Sequence, residues 1–157
     1  MPESREKNHL YANAVQNALF TFQMIEEALK IHIGLSYEIL KRTAPLPVAF
    51  NFDTSAIRNA PLGKLIKLFS GITANRQLVS DLSKIVEWRN FCAHRAYKHE
   101  FMSRMSSTPV SPNDVTDVLT ITAFSVSLVE QLGNEMRTLR DVHLALFGKD
   151  TSQDGEV

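Results

Sequence analysis

Cysteine is nearly absent from this sequence: Cys92 stands alone among 157 residues, so neither an internal disulfide nor a cysteine-built zinc site is available. Glycine is scarce as well. The six glycines, at 34, 63, 71, 133, 148 and 155, form neither a G-x-G-x-x-G run nor a phosphate-binding loop, which excludes the common nucleotide-binding folds. No Glu-x-x-His pair of the di-iron bundle type occurs, and His9, His32, His99 and His143 share no metal-ligand spacing. The most apolar stretch, Val118 to Val129, is closed by Asp117 and Glu130 and falls short of the roughly 20 residues a membrane span needs, so no span is expected. The opening residues carry charges of both signs and lead into no apolar signal region, and a cytoplasmic protein is the expectation.

What is present is ordinary globular composition, 44% hydrophobic and 22% charged. One domain over residues 1–147, followed by a flexible polar tail at 148–157, fits this length. The net charge of zero hides a segregation: residues 58–104 hold nine Lys and Arg against three acids, a surplus of +6, while 1–57 sum to −1 and 105–157 to −5. A basic middle third concentrates polyanions by screened Coulomb attraction, or else packs against the acidic segment of the same molecule.

Apolar residues at Tyr11, Val15, Ala18, Phe22, Ile25, Leu29 and Ile33 follow steps of three and four, which predicts one long helix over 5–42, with Gly34 as a possible interruption. Pro45 and Pro47 end it, and Phe50 and Phe52 in the following loop are expected to cover an end of the core. A short helix is predicted after Asn59, with Pro61 in its first turn and Gly71 at its end. A third main helix is predicted over 76–97, a Ser- and Pro-containing loop over 102–112, and a final helix from the Ser111 cap to Phe147. Its apolar stripe reads Val115, Val118, Leu119, Thr122, Val126, Val129, Leu132, Met136 and Leu139. Nothing reads as a strand. The architecture expected is an all-α, up-and-down bundle of three long helices and one short one.

The chemistry-bearing residues gather in Glu87-Trp88-Arg89-Asn90-Phe91-Cys92-Ala93-His94-Arg95-Ala96-Tyr97. On an ideal helix Glu87, Asn90, His94 and Tyr97 share a polar face, whereas Arg89 points to the edge of the apolar stripe, where a guanidinium needs a partner or a ligand. An ion pair with an acid of the last helix is the structural explanation for Arg89. For His94 it is a hydrogen bond to Asn90 or Tyr97. Imidazole titrates near neutral pH and guanidinium matches phosphate oxygens, so the two residue types suit RNA cleavage, in which the 2′-hydroxyl is the nucleophile. Arg95, Lys98 and Arg104 would extend a positive path for the backbone, and Tyr97 or Trp88 would stack on a base.

Arg89-Asn90-x-x-x-His94, near the end of the third main helix, resembles the signature of the HEPN superfamily, compact all-α domains. The resemblance implies a usually dimeric, metal-independent endoribonuclease of toxin–antitoxin, abortive-infection or antiviral systems. By it, Arg89 and His94 are the catalytic pair with Asn90 in support, the product is a 2′,3′-cyclic phosphate, and an antitoxin or other regulatory protein is a possible partner. Some toxin members carry a tyrosine two positions after the histidine; here Tyr97 comes three after His94. Residues five apart differ by about 140° around a helix, so Arg89 and His94 of one chain diverge, and a homodimer with a composite site is expected. The alternatives are a non-catalytic HEPN-like module that binds RNA, a nucleotide or a protein, and a plain helical scaffold.

Overall fold

The computed structural model describes residues 2–106 and 111–148. The remainder of the expected second loop, 107–110, and the expected tail from 149 onward lie outside the described residues. The three-and-four spacing of the N-terminal segment folds as α1 (Pro2–Thr43), which runs through Gly34 without a break. Its buried side carries Tyr11, Val15, Ala18, Phe22, Ile25, Leu29 and Ile33, each at most 1% exposed. Asp53 caps a one-turn helix absent from the expected architecture, α2 (Thr54–Arg58), by accepting from the Ser55 backbone N–H. Phe50 and Phe52 each pack on Tyr37 at 5.3 Å between ring centroids, closing that end of α1.

The short helix is α3 (Leu62–Ser70), which buries Leu62, Leu65, Ile66 and Phe69; Pro61 sits at its N-cap, one residue before the first turn. The expected third helix is instead three pieces, α4 (Arg76–Lys84), α5 (Val86–His94) and α6 (Ala96–Met105), and it continues well past Tyr97 into the segment expected as loop. The breaks fall at Ile85 and Arg95, whose φ/ψ of −90/−9 and −116/−29 depart from helical values. At the first break the Ile85 N–H turns to the Leu82 carbonyl, three residues back, tightening the turn while Ile85 itself is fully buried. Neither break has a proline or glycine, so nothing in the local sequence marked them.

The last helix, α7 (Pro112–Phe147), starts where predicted, with the Ser111 hydroxyl accepting from the Asn113 N–H, and lies along α1 in the most extensive helix–helix packing of the fold. Its seam is rotated from the expected stripe. Val118, Ser125, Leu128 and Leu132 are buried, whereas Leu119 and Val126 are 52% and 45% exposed. Ser125 can occupy the seam because its hydroxyl donates to the Ile121 carbonyl at 2.7 Å. By length and composition α7 is apolar enough to cross a membrane, with a mean hydropathy of 1.3 in its richest window, contrary to the expectation that no segment reaches that level. A core helix satisfies the same criterion. Among the described residues the structure is all-helical, with seven helices and no strand.

Candidate functional site

Helix α5 is placed by its apolar side. Ile85 and Cys92 are fully buried, which anchors the two ends of α5 against the core and sets the direction of the residues between them. The Cys92 thiol is pushed up to about 11 by burial, so it stays protonated and serves as a packing group, not a nucleophile.

Arg89 does not pair with an acid of the last helix. Its Nε donates to Glu26 Oε1 of α1 at 2.8 Å, with the two side chains 28% and 14% exposed. The bond uses one edge of the guanidinium, and the terminal Nη atoms donate to no other described group. Glu26 therefore holds the guanidinium through Nε in a partly buried position.

His94 ends α5, exposed, with no hydrogen-bond partner among the described residues; the expected bonds to Asn90 or Tyr97 are not made. Asn90 is exposed on the same helix. The break at Arg95 removes Tyr97 from the polar face that an unbroken helix would have given Glu87, Asn90 and His94. Tyr97 instead belongs to α6, 47% exposed, near the exposed Lys98 and Phe101. Arg104 is not free: it pairs with Glu100, four residues back and 7% exposed. Of the basic residues expected to guide a backbone, Arg95 and Lys98 remain exposed without an ion pair among the described residues.

A cleft of about 440 Å³ opens beside this region. Glu87, Trp88 and Phe91 of α5 form one wall, Asp114, Asp117 and Val118 of α7 the other, and Arg95 and Tyr11 complete it. His99 Nε2 lies 3.2 Å from Asp114 Oδ2, and its ring meets Tyr11 edge-on at 5.8 Å. Burial, reinforced by the charges of Asp114 and other acidic groups, pushes the Tyr11 hydroxyl up to about 12. Among the described residues no three His, Cys, Asp or Glu side chains converge as a metal site.

The residue pattern placed Glu87 to His94 on a helix, though one running unbroken over 76–97, and carried no sign that Glu26, Tyr11 and the α7 wall lie beside it. Glu26 lies 63 residues from Arg89, and no local pattern signals such a pairing. Compared with protein-family models, curated proteins and solved structures, the chain finds no match.

Proposed function

We propose that this chain is a HEPN-like endoribonuclease, of the toxin or antiviral kind, that acts as a homodimer in the cytoplasm and needs no metal. The observation that carries this reading is the state of two side chains on one nine-residue helix. Arg89 is oriented by Glu26 with its Nη edge unused, and His94 is exposed and unpartnered. Within one chain they diverge, Arg89 being drawn toward α1, so the working pair forms across a two-fold axis: Arg89 of one protomer with His94 of the partner subunit.

In such a site neutral His94 takes the proton from the ribose 2′-hydroxyl, O2′ attacks phosphorus, and the P–O5′ bond breaks. The His94 imidazolium so formed returns the proton to O5′, leaving a 2′,3′-cyclic phosphate and a 5′-hydroxyl. The Arg89 Nη atoms meet the charge that grows on the non-bridging oxygens, and Asn90 supports the strand. Arg95, Lys98 and Tyr97 bind the flanking backbone and bases.

The test is complementation. Arg89→Ala and His94→Ala proteins are each inactive on total RNA; unfolded together and refolded, they form mixed dimers in which one of the two sites is intact, and cleavage returns. Failure of the mixture to recover, with dimers confirmed by light scattering, overturns the composite site. A second reading, a non-catalytic RNA-binding module, is favoured by the exposed Tyr97, Lys98 and Phe101 of α6. Salt-sensitive RNA binding without a cyclic-phosphate product selects it.

A further inference from the structure

Helices α1 and α7 run parallel, with Asp114 beside Tyr11 at one end and Phe147 under the Arg42 guanidinium at the other. Helix α5 lies over one face of this pair, held to α1 by the Arg89–Glu26 bond and facing α7 from Trp88 to Asp117. The flanks turned away from α5 make the opposite face, and no described element covers its apolar side chains. On α1 these are Leu10, Phe20, Met24 and Ile31, 56%, 65%, 42% and 59% exposed; on α7 they are Leu119 and Val126. Together they present about 600 Å² of apolar surface, the upper end of what a monomer leaves in water. Doubled across a two-fold axis, the same area reaches about 1,200 Å², the size at which specific interfaces begin.

We infer that this face is a contact between two copies of the chain, with α7 packed antiparallel on the partner's α7 about a two-fold axis at Val126. The exposed flank of α7 fits itself in that arrangement. Leu119, Val126 and Gly133 are spaced by seven, so the axis sets Val126 on its own counterpart and seats Leu119 over the partner's Gly133. Ala123 meets the partner's Val129 in the same way, small against large. Gly133 is the decisive residue. A glycine inside a helix costs about 1 kcal/mol relative to alanine. A Cβ at Gly133 would meet nothing within 4 Å, so no packing inside the protomer calls for a glycine there. The partner's Leu119 does. By the pairing at the two helix ends, Phe20 of α1 stands level with Val126 to within about one turn and widens the contact. Other occupants fit less well. The residues outside the described ones offer only Met1, Pro109, Val110 and Val157 as apolar side chains, too few to cover the face. The exposed charges beside it are mixed, Glu27 and Glu130 with Arg137, and lack the basic surplus that an anionic lipid surface selects. The contact lies across the molecule from Arg89, so it is separate from the two-fold of the cleavage site and does not depend on the RNA reading.

Light scattering is expected to give Val126→Glu half the mass of the wild type at the same concentration, with the helical circular dichroism kept because the side chain is exposed. Gly133→Leu, which meets open space in its own chain, is expected to halve the mass as well by filling the seat of Leu119. Covalent capture fixes the register. Leu119→Cys/Gly133→Cys, oxidised with copper phenanthroline, is expected to give a disulfide-linked dimer, since the two positions lie about 21 Å apart in one helix and meet only between copies. Leu119→Cys alone is not, and Cys92 is buried out of reach. A wild type with the mass of the two variants, no capture of the cysteine pair, or equal capture of Leu119→Cys alone overturns the inference, the last by making the two α7 helices parallel. The nuclease reading is tested apart from it: a dimer that remains in Val126→Glu is the one built on Arg89 and His94.

Discussion

Glu26 of α1 and Arg89 of α5 meet through a 2.8 Å bond to Nε, joining segments 63 residues apart at a partly buried contact. Exposed ion pairs contribute little, and breaking a buried one leaves a desolvated charge, so the cost of disruption depends on burial. This pair lies between those limits.

Glu26→Ala and Arg89→Ala are each expected to destabilise the fold by about 1–2 kcal/mol, with a double-mutant coupling of similar size. Thermal melts of the two single variants and the double variant measure it. Additive losses would show that the two side chains do not interact in solution. Glu26→Ala should also weaken cleavage while leaving residual activity, because it releases the guanidinium without removing it.

His94→Ala is expected to leave stability within about 0.5 kcal/mol of the parent, since the side chain is exposed and unpartnered. The same substitution is expected to abolish the cyclic-phosphate product. Wild-type cleavage by this variant would remove His94 from the chemistry.

His32 gives the fold a pH dependence. It is 4% exposed, 3.3 Å from the Ser36 hydroxyl, and edge-on to Phe69 at 4.9 Å. Burial lowers its pKa below the ordinary 6.5, against a weaker opposite pull from Glu135. The unfolded chain therefore binds the proton more readily than the folded one, and stability rises with pH through this window. The contribution is complete above about pH 6.5 and is lost as the pH falls below it. Melting temperature between pH 5 and 8 should drop on the acid side, and the drop should shrink in His32→Gln.

Cys92 should resist iodoacetamide at pH 8 in the folded protein and react on unfolding, because the thiol is fully buried and held near 11. Rapid labelling under native conditions would mean that the α5 side of the core opens readily. Cys92→Ser is expected to cost about 1–3 kcal/mol, by putting a hydroxyl that must be desolvated in place of a buried thiol.

Much of the frame was legible because it follows from local periodicity. The spacing from Tyr11 to Ile33 identifies the buried side of α1, and Ser111 marks the start of α7, since both depend on neighbours three or four residues away. The α7 seam was harder to read. Leu119 and Val126 are as apolar as Val118 and Leu128, and only the position of α1 decides which of them is covered. The breaks at Ile85 and Arg95 carry no local signal either, since neither has a proline or glycine.

For the candidate site, the sequence alone determined the chemistry on offer: an imidazole, a guanidinium and a tryptophan on one helix, in an order that resembles a known signature. The tertiary structure decided what those groups meet, pairing Arg89 with an acid of the first helix and bringing Asp114 and Asp117 opposite Trp88. The physical reason is range. Helix formation is governed by neighbours within about one turn, whereas the partner of a charge and the far wall of a cleft are chosen by the packing of segments distant in the chain.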